Sequence, residues 1–582
     1  MVTHIVFPMK PFSSLLPGGL LALLLLTFSR PAAAQAPAWQ SARIVAVATA
    51  AAVNSSSSVS ATAVDAAGNV YVAGIFQGTV VLGGTTLTSL GLNDVFVAKF
   101  NPASNQFVWA QRAGGTNDDR ATALAVSGTS VYVAGYFSSL TVGFGTTTLT
   151  NANSNGGSEV YVAKLTDAGS TGSFVWAQRA GGTETDFATA LVVSGTSVYV
   201  AGFFDSPTAG FGPATLTSAG SYDVFVAKLT DAGSTASFGW AQRAGGTGND
   251  GTFALAVSGT SVYVAGYFQS LTVGFGATTL TNTNANGSND VYVAKLTDAG
   301  STGSFGWAQR AGGTGDETAL ALAVSGPSVY VAGSFTSATA GFGPATLTNA
   351  GGQDIFVAKL ADAGPTGSIT WAQRAGGTAN DLADALAVSG TSVYVAGHFS
   401  NVAGFGATTL TSAGGRAGIR DVFVAKLADA GSTGSFGWAQ RAGGTSDDRA
   451  TALAVSGTSV YVAGFFDSPT VSFSSITLSN PTLNASTSGF LASLTDPTLT
   501  ATTATRAPAP AQLFPNPAHR TATLRLPAGT APAPLTLTDA LGRAVRRYPA
   551  PAGAEATLDL GGLPAGLYLL RGAGPARRLA VE

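Results

Sequence analysis

The chain has 582 residues, of which 28 are Lys or Arg and 30 are Asp or Glu, and it contains no cysteine. The lack of cysteine excludes disulfides, thiol nucleophiles and Cys-based metal centres. The three histidines, His4, His398 and His519, are too few and too scattered for a His-rich zinc site or a Ser-His-Asp triad. Residues 37–505 carry 17 basic against 26 acidic residues, a net −9 that disfavours nucleic-acid binding, whereas residues 506–582 carry 9 against 4.

The N-terminus has the pattern of a secretory signal. Lys10 precedes the apolar run Leu15–Phe28, and Ala34-Gln35-Ala36 fits a small-x-small cleavage site. The run is too short for a membrane span, and no later segment is apolar enough for one. We therefore expect residues 1–36 to be a signal peptide, with cleavage after Ala36 or Ala34.

Tryptophan marks an internal repeat that follows the signal. The seven tryptophans are spaced by 70, 67, 64, 67, 64 and 67 residues, and six of them open the string Trp-Ala-Gln-Arg-Ala-Gly-Gly-Thr. They are Trp39, Trp109, Trp176, Trp240, Trp307, Trp371 and Trp438. A fixed period of this length predicts one supersecondary unit copied along the chain. Regular strand positions favour core packing between units over exposed rings that stack on sugars.

Each unit has the composition of an antiparallel sheet. The unit after Trp176 contains short segments rich in Val, Tyr, Phe, Thr and Ala, namely Trp176–Ala180, Ala188–Val193, Ser197–Phe204, Ala214–Ser218 and Asp223–Leu229. Gly/Ser/Thr/Asn/Asp loops separate them, and no helical period competes. Four good strands and one weak hairpin per unit predict an all-β, seven-bladed β-propeller over residues 37–497, because a solenoid rung is much shorter.

The two ends of the repeat region predict how the propeller closes. Trp39–Val47 has no strands before it, and the last unit ends at Ser488–Leu494 without a Trp segment. We therefore expect Trp39–Val47 to pair with Ser488–Leu494 and to complete the seventh blade, which leaves no open sheet edge.

Recurring charges suggest pairs within each blade. Six units head the Val-Phe-Val-Ala-Lys strand with an acid and place Arg three residues after the next Trp. Because these strands are consecutive, a hairpin brings acid and Arg together. The predicted pairs are Asp94–Arg112, Glu159–Arg179, Asp223–Arg243, Asp290–Arg310, Asp354–Arg374 and Asp421–Arg441. A ligand-binding ring of charges is the alternative. A second recurring acid, such as Asp119, follows Gly-Gly-Thr and suits backbone amides better than Ca²⁺.

The repeats resemble the bacterial SBBP family of β-propeller repeats. The family pattern is fullest at Ala61–Gly74 and Asp94–Phe100, and later units replace its Asp-x-x-Gly-Asn with Ser-Gly-Thr-Ser. The resemblance covers about residues 39–494 and implies the fold. It brings no catalytic residues and no cofactor.

The C-terminus carries a second set of motifs. Residues 498–511 form a Thr/Ala/Pro-rich stretch that predicts a linker. Residues 512–582 contain Leu513–Ala518, Thr538–Arg543 and Leu563–Arg571, which resemble in order the C-terminal sorting domain of type IX secretion in Bacteroidota. The resemblance implies a small β-sandwich, export across the outer membrane through the type IX machinery, and removal of the domain. The family often ends in Lys-rich strands, where this chain has Arg577 and Arg578.

The near-copied units favour a platform over an enzyme with one cleft. We expect a secreted or cell-surface, non-enzymatic protein that binds a glycan, a protein or the extracellular matrix, for adhesion or scaffolding. We expect no cofactor, no metal and no nucleic-acid partner. A propeller-type glycosidase or polysaccharide lyase is the alternative, since paired carboxylates can act on a glycan. The sequence does not identify the ligand.

Overall fold

The computed structural model describes residues 36–48, 55–153, 156–282, 284, 287–415, 418–481, 487–499, 512–525, 534–539, 542–551, 555–572 and 574–582. The predicted signal peptide, apart from Ala36, and the predicted linker beyond Leu499 lie outside these residues. Within them every helix or strand is a β-strand, so the protein is all-β.

The described residues between 36 and 499 form seven antiparallel sheets with four long strands each, two of which also include a short hairpin; the sheets are numbered here in chain order from the one that contains Ser56–Val64. Each of these strands in sheets 1–6 is eight to eleven residues long and is rich in small and β-branched residues. The first strands are Ser56–Val64, Asp119–Ser127, Asp186–Ser194, Asp250–Ser258, Glu317–Ser325, Leu382–Ser389 and Asp448–Ser456. The second strands are Val70–Gln77, Ser130–Phe137, Ser197–Phe204, Ser261–Phe268, Ser328–Phe335, Ser392–Ser400 and Ser459–Phe466.

The third and fourth strands continue each sheet in the same antiparallel order. The third strands are Asp94–Asn101, Glu159–Asp167, Asp223–Asp231, Asp290–Asp298, Asp354–Asp362, Arg420–Asp429 and Ser488–Thr495. The fourth strands of sheets 1–6 are Gln106–Gly114, Gly172–Ala180, Ala236–Ala244, Gly303–Ala311, Gly367–Gly377 and Gly434–Ala442.

The fourth strand of sheet 7 comes from the other end of the chain. Trp39–Ile44 pairs antiparallel with Ser488–Thr495, with Ala42 opposite Ala492. The predicted single strand Trp39–Val47 is divided in the structure, because Val47–Ala48 pairs instead with Thr79–Leu82, which follows the second strand of sheet 1. The N-terminal segment therefore joins the last sheet to the first.

A short hairpin lies between the second and third strands of every sheet, as the weak segment Ala214–Ser218 predicted. Its first strand contacts the end of the fourth strand of the preceding sheet, for example through Gly143 and Gly114. The hairpins are Thr79–Leu82 with Thr85–Thr88, Thr141–Phe144 with Thr147–Thr150, Thr208–Phe211 with Ala214–Thr217, Thr272–Phe275 with Thr278–Thr281, Thr339–Phe342 with Ala345–Thr348, Val402–Phe405 with Thr408–Thr411, and Thr470–Phe473 with Ile476–Ser479.

The hydrophobic core lies between neighbouring sheets. Seven clusters of buried residues each combine two consecutive sheets, and one of them joins Ala463 and Leu491 of sheet 7 to Val70 and Val72 of sheet 1. The first strands contact one another in order, and the first strand of sheet 7 contacts that of sheet 1. Residues of all seven first strands line one cavity of about 190 Å³.

The C-terminal residues form a separate small β-structure with its own core. One sheet contains Gln512–Phe514, Thr521–Arg525 and Glu555–Asp559. The other contains Ala544–Tyr548, Leu535–Thr538, Gly566–Gly572 and Gly574–Val581. Leu524, Leu537, Leu558 and Leu579 are among the buried side chains that fill this core.

Candidate functional site

The direction of the strands gives the seven sheets two different ends. At one end, here called the long-loop end, the first and third strands begin, and the hairpin-bearing connections and the Gly-Gly-Thr connections lie there. At the opposite end, here called the short-turn end, the second and fourth strands begin and tight turns such as Gly128 join the strands. Loops that a rigid scaffold holds are the usual position of binding residues.

The structure brings the recurring acid and Arg together at the long-loop end. The closest atoms of Asp223 and Arg243 are 2.9 Å apart, those of Asp290 and Arg310 2.6 Å, and those of Asp354 and Arg374 2.7 Å. The pairs Asp94–Arg112, Glu159–Arg179 and Asp421–Arg441 have the same contact. In every pair the acid is buried, and the Arg side chain is 24–38% exposed.

In five of the six pairs, the glycine two residues after the Arg makes room for the acid. A Cβ on Gly245 would lie 1.7 Å from Asp223 Oδ1, so no larger residue fits without moving the carboxylate. Asp223 Oδ1 is buried without a hydrogen-bond partner, and burial raises the pKa of this acid while Ala219 N and Arg243 lower it. These acids are part of the packed sheet and have little surface left for a ligand.

The second recurring acid is also buried at the long-loop end. Asp119 Oδ2 accepts hydrogen bonds from Gly115 N at 2.7 Å and from Ser139 Oγ at 2.8 Å. Burial is the main cause that raises the pKa of Asp119 and of Asp186 to about 6, and that of Asp381 and of Asp448 to about 7. The expected bonds to backbone amides are present, and the carboxylates fasten the connections between consecutive sheets.

At the short-turn end a third acid, which the sequence analysis missed, holds neighbouring sheets together. Asp167 at the end of a third strand accepts hydrogen bonds from Lys99 Nζ at 2.6 Å, Tyr71 OH at 2.7 Å and Trp109 Nε1 at 2.9 Å. All three donors belong to the preceding sheet. We call this four-residue contact the Asp latch.

The Asp latch recurs at six junctions between sheets. Its acids are Asp167, Asp231, Asp298, Asp362, Asp429 and Asp496, and its lysines are Lys99, Lys164, Lys228, Lys295, Lys359 and Lys426. At the first five junctions a Trp indole also donates to the acid; these residues are Trp109, Trp176, Trp240, Trp307 and Trp371. At the sixth junction, Trp438 lies in the equivalent position next to Tyr394, whose hydroxyl donates to Asp496. The tryptophans are thus buried between sheets.

The pKa values of the latch acids lie below the ordinary value for Asp, whereas those of acids such as Asp119 at the long-loop end lie above it. Burial would raise the pKa of Asp496, but the hydrogen bonds from Lys426, Tyr394 and Thr498 outweigh it and lower the pKa to about 2. Sequence alone carried a signal for the latch, the recurring Lys-Leu-Thr-Asp-Ala-Gly as at Lys164–Gly169. The acid that pairs with each Lys lies 67–70 residues further along the chain, in the next sheet.

The junction between sheets 7 and 1 is built differently. Ser493 occupies the Lys position of the latch, sheet 1 has Pro102 three residues after Lys99, where the other sheets have the latch Asp, and Trp39 Nε1 donates instead to Arg441 O of sheet 6 at 3.2 Å. Arg43 takes their place: its guanidinium lies 4.3 Å from the centre of the Phe100 ring and donates to Asn105 O at 2.9 Å.

The histidine of the repeat region has a partner. His398 is buried in sheet 6, and its Nδ1 lies 2.8 Å from Asp384 Oδ2. In the part of the chain that the structure describes, no three His, Cys, Asp or Glu residues are grouped so that they could hold a metal ion. Nor do the described residues include a helix of the length and apolarity that crossing a bilayer requires.

Comparison with known proteins identifies the C-terminal domain. Residues 512–576 match the family described as a secretion system C-terminal sorting domain. This match links the chain to the type IX secretion system and marks it as a secreted or cell-surface protein.

The chain has more distant likenesses to other known proteins. The regulatory protein FlaEY of Caulobacter vibrioides is 26% identical over 302 residues, which are 50% of this chain and only 30% of that protein. Two solved structures align with 93% of this chain: Sqt1 from Chaetomium thermophilum, over 100% of its length with 11% identity and a TM-score of 0.35, and the endosialidase of phage phi92, over 87% with 10% identity and a TM-score of 0.36. At these TM-scores neither structure bears on function.

Proposed function

We propose that residues 37–497 form a seven-bladed β-propeller of the SBBP type, in which each sheet is a blade and Trp39–Ile44 closes the seventh. Four observations support the closure: the pairing of this strand with Ser488–Thr495, the core that sheet 7 shares with sheet 1, the contacts between their first strands, and the single cavity that all first strands line. A closed propeller leaves only short, protected sheet edges.

The chain is exported in two stages under this proposal. Residues 1–36 are a signal peptide, and the sorting domain then directs the protein through the type IX machinery of a bacterium of the Bacteroidota. Intact-mass analysis of the native extracellular protein tests this: we expect an N-terminus near Gln35 or Pro37 and the loss of Phe514–Glu582. A surface form that retains Arg577–Glu582 would contradict the removal of the domain.

At the cell surface or outside the cell, the propeller acts as a non-enzymatic binding, adhesion or scaffold module for a glycan, a protein or the matrix. The sorting domain carries the extracellular address, and the near-identical units support a platform, because each recurring acid is occupied by Arg, Lys or backbone amides. Binding assays on the secreted chain with glycans and matrix proteins test the proposal, and turnover of any bound glycan would replace it with a glycosidase or lyase.

A further inference from the structure

Aromatic rings form a continuous row across sheets 2, 3 and 4 at the long-loop end. In order the rings are Tyr136, Phe187, Phe203, Phe253 and Tyr267, and Tyr222 adjoins Phe203. Neighbouring centroids in the row are 4.6, 5.2, 6.2 and 5.9 Å apart. All six side chains are only partly buried, so the row presents apolar surface to solvent.

These rings occupy positions where the otherwise similar units differ. Sheet 5 has Thr318, Leu320 and Ser334 at the positions of Phe187, Phe253 and Tyr267. Because the same strands form with Thr, Leu and Ser there, the fold itself does not require aromatic residues. Gly251 is adapted to the row, since a Cβ on it would lie 2.7 Å from the ring of Tyr267.

Hydrogen-bonding groups border the row, but unpaired cations do not. The negative charge of Asp205 contributes, after burial, to the raised pKa of Tyr222, and Asn249 Oδ1 is buried without a hydrogen-bond partner beside Gln269. All six lysines of residues 37–505 are in Asp latches at the opposite end. Among the described residues, the arginines of the long-loop end are all in ion pairs with acids.

We propose that this row binds an uncharged oligosaccharide, whose sugar rings stack on the aromatic faces and whose hydroxyls bond to the tyrosines and the neighbouring acceptors. The inference rests on the proposed binding function and names its ligand class. Aromatic faces suit the apolar face of a sugar ring, and Tyr adds a hydroxyl donor. An anionic glycan is disfavoured because every cation described at this end is already paired with an acid and because Asp205 repels negative charge. A row of five rings favours a chain of sugars over a monosaccharide.

The test uses the secreted full-length chain and an array of uncharged glucan, mannan, xylan and galactan oligosaccharides, with anionic glycans and matrix proteins as the comparison probes. The triple variant Phe187→Thr, Phe203→Ser and Tyr267→Ser copies Thr318 and Ser334 of sheet 5 into the row, so the strands keep residues that they accept elsewhere. Leu382→Thr is the matched control, because Leu382 occupies the Phe187 position in sheet 6. We expect the array to identify a ligand, the triple variant to lose at least about tenfold in affinity, and the control to bind as the unmodified chain does.

Each other outcome decides against one of the two proposals. Equal binding of an uncharged oligosaccharide by the triple variant would place the site elsewhere while the binding function stands. Binding only of anionic glycans or of proteins would overturn the ligand class. Failure to bind any glycan or matrix protein would overturn the proposed function itself. If the triple variant is not secreted, the single change Phe253→Leu, which copies Leu320, gives the same comparison.

Discussion

The two ends of the seven sheets differ in what the repeat keeps constant. At the short-turn end, the Lys–Asp contact of the latch measures 2.6–2.8 Å at all six junctions that have it. At the long-loop end, the buried acids recur, but nearby surface positions differ between sheets. Sheet 5 has Thr318 where sheet 3 has Phe187, and it has Ser334 where sheet 4 has Tyr267. The comparison indicates that the repeated ion pairs between neighbouring sheets lie at the short-turn end, whereas the surface residues of the long-loop end can vary.

The ends also differ in electrostatics. A latch acid faces Lys, Tyr and Trp donors, which stabilise its charged form and lower its pKa, as at Asp496. A long-loop acid such as Asp448 is buried near Asp421 and faces neutral donors, so burial raises its pKa to about 7. The contributions of the two ends to stability should therefore change in opposite directions with pH.

The largest effect is expected at a latch. In Asp298→Ala the buried Lys228 loses its 2.6 Å partner, and the hydroxyl of Tyr199 loses its acceptor. Leaving a buried charge unpaired costs about 3–5 kcal/mol of unfolding free energy. The double variant Lys228→Ser with Asp298→Asn removes both charges and takes its Ser from Ser493 of sheet 7; it is the control and should cost less because no buried charge is left unpaired. Urea unfolding measures both, and a double variant as unstable as the single one would contradict the latch.

The pH dependence of stability should be set by the long-loop end above pH 5. The raised pKa values of Asp119 and Asp186, about 6, and of Asp381 and Asp448, about 7, mean that the folded chain binds more protons than the unfolded chain between pH 4 and 7. Their contribution is full below the unfolded pKa near 4 and is lost as pH rises through 6–7.

Thermal unfolding at several pH values checks this. We expect the midpoint to be highest near pH 4–5 and to fall towards pH 8, since a pKa difference of one is worth about 1.4 kcal/mol. Below pH 4 the latch acids act in the other direction, because the lowered pKa of Asp496 makes its contribution disappear as pH falls towards 2. Asp448→Asn should flatten the fall above pH 5. A midpoint that rises from pH 5 to 8 would show that these acids are charged when folded.

A smaller effect is expected at the acid–Arg pairs. Arg243→Ala exposes no new charge but leaves the fully buried Asp223 without its guanidinium, so we expect a loss of about 1–3 kcal/mol. The loss should shrink at lower pH, because burial already raises the pKa of Asp223 and protonation relieves the unpaired charge. Arg120→Ala is the control: Arg120 and Asp118 are 40% and 29% exposed, which predicts about 0–1 kcal/mol. Equal losses in denaturant unfolding would contradict the role of burial.

The sequence predicted the parts of this structure that depend on period and alternation. The spacing of Trp109 and its equivalents predicted the length of the repeat unit. The order of consecutive strands predicted acid–Arg pairs such as Asp354–Arg374. It did not give the latch, because Lys359 and Asp429 lie 70 residues apart and only the packing of one sheet on the next makes them neighbours. The aromatic row was missed for the same reason: Tyr136, Phe203 and Tyr267 share one repeat position, but Phe187 and Phe253, which connect them, come from two other positions, and only the packing of the sheets brings the five rings together.

The smallest effect is expected at the junction between sheets 7 and 1, where Arg43 replaces the latch. Arg43→Ala removes a cation–π contact with Phe100, worth about 0.5–1 kcal/mol, and hydrogen bonds to Asn105. We therefore expect a loss of about 1 kcal/mol, well below that of Asp298→Ala, because Arg43 is partly exposed and no buried charge is left behind. Arg43→Lys should recover little, since an ammonium lacks the planar face that stacks on Phe100.

Denaturant midpoints of the unmodified chain and of the two variants test this prediction. A loss of stability as large as that of Asp298→Ala would mean that this junction depends on Arg43 as strongly as the others depend on their latches. An unchanged midpoint would mean that the shared core around Leu491 and Val72 holds sheets 7 and 1 together by itself.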